Sequence, residues 1–440
     1  MSALAGLLGP TTPVAGKKRP APNYDGLVKS IEERLQNGLG RWKNAQTRQD
    51  IAYAMKELRG VVSSRNEVEG NAPAAFHAAV EKGVENLAYL CIQENLREEA
   101  DKLLIELRYT HSLSDKVVRY KDSSIQNGSL ADPNHSKVVQ VFRNALPVKM
   151  LRQLQHAFRA ESPFWSEHKY PCPYFSYAHA LIPTGPPKHL MDQLSRMLLK
   201  NLTPVFPQLK GGVNFVEWWS HNRTHSHGHQ LHFDSDNEGI GTVRNPICSA
   251  ILYLTPSSIG GPTLVTTQEL KSKALATHGW MVYPEENCIG VFDGKYLHGV
   301  IPGRGVPNDW KKGSTKPPSR RVTLMFAFWD SLNTKPCDPE YPGGASKQFP
   351  EENKTNYTWA KLLRPCAMEH DDGGEEEEEG RFITNHSFGE NVPVEPIAPI
   401  WQPLKLKTPL AMDKDNDQAE TNAAKLTKMP KYDDCFQFPC

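Results

Sequence analysis

Apolar residues in the first quarter of the chain return every three or four positions. Leu27, Ile31, Leu35 and Leu39 form one row; Ile51, Met55 and Leu58 a second; Val84, Leu87 and Leu90 a third. That period places each row on one stripe of a helix, so residues 25 to about 108 read as helical. The rhythm then changes. Residues 138–142 resemble a first core strand, 147–160 a helix with Met150, Leu151, Leu154 and Phe158 on one face, and 190–202 another helix. Further on come short apolar runs at 248–255, at 263–267 after Gly260-Gly261, at 280–283 and 288–292 around a turn at 284–287, and at 321–329. Several short strands divided by turn residues predict a sandwich or barrel. Many of these strands are apolar on both faces, so their outer faces need a cover, which the helices can supply.

Composition narrows this picture without overturning it. The chain has 440 residues, 23% of them charged, and a net charge of +1. That is ordinary globular composition, and the neutral balance gives no reason to expect a nucleic-acid partner. No run of eighteen apolar residues occurs, so no membrane partner is expected. The first residues lack the basic start and long apolar stretch of a secretory leader. Eight cysteines, at 91, 172, 248, 288, 337, 366, 435 and 440, form no C-x-x-C pair. They read as reduced thiols of a cytoplasmic protein, with the nucleus as the alternative. Seven N-x-S/T sequons mean little without secretion.

The expected organisation is a disordered start over 1–22, a helical region over 23–130, a core over 137–332, and an extension over 333–440. The helical region is expected to buttress the core or to mediate a homodimer or partner contact. The extension reads as largely flexible. Its run at 371–379 holds seven acids in nine residues and is self-repelling. Residues 392–406 carry enough apolar side chains to dock on the surface.

Candidate chemistry concentrates in His232-Phe233-Asp234 and the distant His298. On a strand, residues i and i+2 face one way, so His232 and Asp234 can enter one cavity while Phe233 turns aside. Two histidines and a carboxylate form the facial triad of a non-haem Fe(II) site, which leaves coordination positions open; a closed structural zinc site needs four protein ligands. Arg321 opens an otherwise apolar strand and shares a face with Thr323. A buried guanidinium needs a partner, and its fork suits a carboxylate. Asp236 is the rival carboxylate. His221, His225, His227, His229 and His232 crowd into twelve residues, which reads as a polar loop leading into the metal strand rather than a second metal site. A neighbouring histidine or Asn237 is a candidate to orient a ligand. One of Trp218 and Trp219 should face the pocket mouth.

These residues, with the runs 251–254, 298–302 and 321–324 and the pair Gly260-Gly261, resemble the Fe(II)- and 2-oxoglutarate-dependent dioxygenases, particularly the prolyl-4-hydroxylase-like branch. The likeness covers roughly residues 137–330. It implies a mainly β core, a double-stranded β-helix of the cupin-like jelly-roll kind, with flanking helices and a helical N-terminal region. It implies that His232, Asp234 and His298 ligate iron, and that Arg321, Thr323 and Tyr253 bind the distal carboxylate of 2-oxoglutarate. Dioxygen is the second cosubstrate, and ascorbate is a further cofactor to test. The implied reaction hydroxylates an aliphatic C–H of a protein side chain or small molecule, with release of succinate and carbon dioxide. One feature departs from the pattern: 23 residues separate His298 from Arg321, where the family has about ten. Arg304, Lys311 or Lys312 is therefore an alternative anchor. Three other functions stay open: a nucleic-acid demethylase on the same metal core, a non-enzymatic cupin-like binding or scaffold protein, and a zinc hydrolase. The demethylase branch carries a second arginine where this chain has Ala327.

Overall fold

The computed structural model of the chain describes residues 24–67, 72–120, 138–171, 174–181, 185–236, 243–255, 259–272, 274–307, 320–338, 340–351, 356–367, 382–383, 385–394 and 396–404. The N-terminal periodicity becomes four helices: α1 (Tyr24–Lys43), α2 (Arg48–Ser63), α3 (Ala74–Gln93) and α4 (Arg97–Glu106). Ile31, Leu35 and Leu39 of the first apolar row are buried, as are Ile51, Met55 and Leu58 of the second. The start of α2 is fixed by a reciprocal cap between Thr47 and Asp50, which satisfies donors the helix leaves open. A short strand β1 (His111–Leu113) and the turn of helix α5 (Asp115–Val118) follow.

The next part runs through β2 (Val139–Phe142), α6 (Val148–Ala157), α7 (Pro163–Glu167), β3 (Phe175–Ala180) and α8 (Leu190–Leu202). Eight strands then build the barrel: β4 (Phe215–Arg223), β5 (His229–His232), β6 (Cys248–Tyr253), β7 (Thr263–Thr266), β8 (Gly279–Val282), β9 (Ile289–Phe292), β10 (His298–Val300) and β11 (Arg321–Trp329). Four strands complete the chain: β12 (Gly344–Lys347), β13 (Asn391–Val392), β14 (Pro396–Ile397) and β15 (Trp401–Pro403).

The two sheets of the barrel have the orders β12-β3-β4-β11-β6-β9-β2-β13 and β14-β8-β7-β10-β5, and β1 and β15 form a separate two-stranded sheet. From β4 to β11 the chain crosses between the sheets at every connection except the β7–β8 hairpin. That is the topology of a double-stranded β-helix, a jelly roll. Between the sheets, Trp219, Ile251, Tyr253, Phe292 and Met325 of the larger meet Val265, Trp280 and Val282 of the smaller.

Two further cores explain why the strands are apolar on both sides. Along β11, Val322, Leu324, Phe326 and Phe328 point outward and pack with α6, α7 and α8. Met325, Ala327 and Trp329 point into the barrel. On the opposite side, Leu264 and Met281 of the smaller sheet join the core of α1–α4. The N-terminal helices thus buttress the barrel, one of the two roles expected of them.

The segment after residue 332 departs from expectation where it is described. Its described part is ordered by backbone pairing: β12 lies along β3, β13 along β2, β14 along β8 and β15 along β1. These strands are two to four residues long, too short for a periodicity to show in the sequence. The docking expected of 392–406 is observed through residue 404, with Ile400 fully buried beside the N-terminal helices. The expected disorder of 1–22 and the acidic run at 371–379 lie outside the described residues. The five described cysteines form no disulfide. Among the described helices, none is long and apolar enough to cross a membrane.

Candidate metal centre

His232 ends β5 and His298 opens β10, and the two are paired across adjacent strands. Asp234 lies just past β5, so the H-x-D segment is a strand end rather than a continuous strand. Asp234 Oδ1 is 3.5 Å from His232 Nε2 and 3.6 Å from His298 Nε2. One ligand atom from each of the three lies within 4.8 Å of the others, the only such group found among the described residues.

Hydrogen bonds orient all three side chains. His232 Nδ1 donates to Gln230 O at 2.9 Å and His298 Nδ1 to Tyr296 O at 3.0 Å. Carbonyls only accept, so both rings carry the proton on Nδ1 and turn an Nε2 lone pair inward. That is the arrangement of imidazoles that bind metal. His298 Nε2 is buried with no hydrogen-bond partner among the described residues. Ser249 Oγ donates to Asp234 Oδ2 at 2.6 Å, leaving Oδ1 for the centre. An inward lone pair without a donor, beside a buried carboxylate, fits a divalent cation.

Electrostatics follow from the same contacts. Burial pushes His298 down to about 4. Burial alone would lower His232 too, but its hydrogen bond to Asp234 and the carboxylate charge reverse this and raise it. Burial would raise Asp234; the nearby His298 and His232 instead bring it down to about 2. The carboxylate is therefore ionised across the physiological range.

Arg321 is buried and lines the same pocket as His232 and His298. One Nη donates to Gly261 O at 2.9 Å, and Nε has no partner among the described residues. No carboxylate pairs with it among the described residues, and desolvation lowers its pKa to about 10. Such a cation wants an anion. Gly260 makes room for it: a Cβ there would stand 2.8 Å from Arg321 Cδ, and Gly260 has φ +82°. Thr323 lines the pocket two residues on. The Tyr253 hydroxyl bonds Thr263 Oγ1 at 3.0 Å, and Thr263 itself faces the pocket. Tyr253 is thus one hydrogen bond behind the pocket wall.

The rivals are drawn elsewhere. Asp236 is held by Arg244 at 2.8 Å. Arg304 donates to the carbonyls of Arg119 and Tyr120 in the N-terminal part. Lys311, Lys312 and Asn237 lie outside the described residues. Of the tryptophans, Trp219 lines the pocket and Trp218 is buried among the covering helices.

The histidine cluster is where the sequence reading needs correcting. His221 is on β4 and His229 on β5; both line the pocket. Only residues 224–228 form a loop between them. Ring centroids run His221, His229, His232, His298 at successive spacings of 4.9, 4.7 and 4.4 Å. Arg223 is buried behind them and contacts both added rings. Alternation along 215–223 put Trp219, His221 and Arg223 on one face. That signal was legible, but the sequence did not say which face.

No family model matches the chain, and no curated protein matches it. Solved structures of low likeness include AviO1 from Streptomyces viridochromogenes, 11% identical over 49% of this chain and 100% of that one, with a TM-score of 0.28. An oxidoreductase of the 2OG-Fe(II) oxygenase family from Burkholderia pseudomallei is 13% identical over 46% and 92%, TM-score 0.22. HygX from Streptomyces hygroscopicus, solved with nickel and 2-oxoglutarate, is 10% identical over 43% and 82%, TM-score 0.24. At such scores the jelly-roll assignment rests on strand order, and the site on its own geometry.

Proposed function

We propose that the protein is an Fe(II)- and 2-oxoglutarate-dependent dioxygenase that hydroxylates an aliphatic C–H of a protein side chain or small molecule, in the prolyl-4-hydroxylase-like branch. The observation that carries the reading is the convergence of His232, Asp234 and His298, whose two histidines line one pocket with Arg321, a buried cation that has no anion among the described residues. When bound, ferrous iron with 2-oxoglutarate supplies the dioxygen-dependent oxidising chemistry and yields succinate and carbon dioxide.

The chain's own residues do the positioning. His232 and His298 offer Nε2 because backbone carbonyls hold their Nδ1 protons. Ser249 steadies Asp234. Arg321 takes the far carboxylate of the cosubstrate by charge-assisted hydrogen bonds, with Thr323 beside it. Trp219, Ile251 and Met325 form an apolar wall that limits water at the centre.

The test is succinate formation from 2-oxoglutarate by the full chain. The expected outcome is succinate that needs both ferrous iron and dioxygen and is lost in His298→Ala. Turnover of a substrate with zinc and no oxygen would instead identify a hydrolase. Metal binding with no succinate from any candidate substrate would favour a binding module.

A further inference from the structure

Arg223 is a second buried guanidinium at this site, and its contacts define the state of two rings. It lies directly across from Arg321 in the β4–β11 pairing, and His221 lies across from Thr323. One Nη of Arg223 is 2.9 Å from His229 Nδ1 and 3.3 Å from His221 Nδ1. The other contacts Gly228 O and His227 Nε2. A guanidinium has only donors, so each Nδ1 it meets must present a lone pair. The proton of both rings is then on Nε2. This is the reverse of the metal-ligand pair, whose protons are on Nδ1.

The consequence is a wall of donors. Among the described residues, neither His221 Nε2, which is buried, nor His229 Nε2 has a hydrogen-bond partner. Both rings line the pocket beside Arg321 and Thr323. A buried N–H without an acceptor costs free energy, so the pocket calls for a ligand that only accepts. The row of rings runs from the metal ligands toward the strand end that carries Arg321.

We propose that Arg223 is a positioning residue that locks His221 and His229 as Nε2–H donors, and that these two N–H groups hold oxygens of a 2-oxo diacid lying between the triad and Arg321. The ligand half of this rests on the function proposed above; the tautomer half does not. A 2-oxo diacid offers only acceptor oxygens, which matches a wall that offers only donors.

The test uses the full-length protein labelled with nitrogen-15 histidine. Long-range proton–nitrogen correlation at neutral pH should show His221 and His229 as Nε2–H tautomers alone, and mixed tautomers in Arg223→Met. Wild-type rings protonated on Nδ1 would overturn the proposal. In parallel, 2-oxoglutarate is titrated by calorimetry into protein preloaded with Co(II) under anaerobic conditions. Its affinity should fall about tenfold or more in Arg223→Met, His221→Phe and His229→Phe, the loss expected for hydrogen bonds to a charged ligand. His221→Gln and His229→Gln, whose amide can replace Nε2–H, should recover part of it. Co(II) binding itself should persist in all five variants. Unchanged 2-oxoglutarate affinity in the three donor-removing variants would overturn the ligand role. A wild-type protein that binds Co(II) but no 2-oxoglutarate would refute the dioxygenase reading and the ligand half together, with the tautomers still measurable.

Discussion

At the residue scale, the centre depends on groups that aim its ligands as much as on the ligands. Ser249→Ala removes the hydroxyl that steadies Asp234 Oδ2. It should weaken metal binding 10- to 100-fold, by the usual range for such outer partners, with the fold intact. Isothermal titration with Co(II) reads this, and an unchanged affinity would show that the carboxylate is held by other contacts. The same titration against pH has a definite sign. His232 is raised above 6.5 in the metal-free protein, and its proton competes with the metal. Asp234, near 2, stays ionised and adds no step. Affinity should hold at alkaline pH and decline as the pH falls through the raised His232 value. An affinity still constant below pH 6.5 would contradict the shift. The His232–Asp234 pair was legible in the sequence because its signal is local, a carboxylate two residues from a histidine, whereas its meeting with the distant His298 is set by the pairing of β5 with β10. The roles of His221 and His229 were not legible, because they depend on Arg223 bridging two strands, a contact set by folded register.

At the element scale, the strands read from the sequence differ from those of the fold by at most two residues at either end, and β11 and α8 agree at both ends. Their apolar character on both faces signals a need for cover, which the helices on either side of the barrel supply. What sequence could not supply was the partner of each strand, since pairing such as β4 with β11 spans a hundred residues. The Gly260-Gly261 pair marks a close approach between elements. A Cβ on Gly261 would stand 2.0 Å from Ile301 O, which has no room to move away. Gly261→Ala should therefore destabilise the fold by more than about 2 kcal/mol, among the larger single-residue effects. Gly40 in α1 meets nothing within 4 Å, so Gly40→Ala should stabilise by about 0.5–1 kcal/mol through helix propensity. Thermal melting of both variants checks the pair; equal melting temperatures would remove the packing argument.

At the scale of the whole molecule, three cores hold a barrel between two helical covers. Several histidines are buried within this arrangement and resist protonation. Burial lowers His168 and His179 to about 4, and His189, His221, His227 and His229 well below 6.5. An unfolded chain takes up protons at these residues near pH 6.5, whereas the folded chain does so only at lower pH. Stability from these groups is thus full above 6.5 and declines as the pH drops from 6.5 toward 4. Calorimetric melting should show the midpoint falling across that window in the metal-free protein. A flat or rising midpoint would mean the histidines open to solvent.

The most direct measurement of the central claim is anaerobic visible spectroscopy of the full chain with Fe(II) and 2-oxoglutarate. The account predicts a weak metal-to-ligand charge-transfer band that saturates at one iron per chain, is absent in His232→Ala, and is weakened in Arg321→Ala. No band in the wild type, or a band unchanged in His232→Ala, would contradict it.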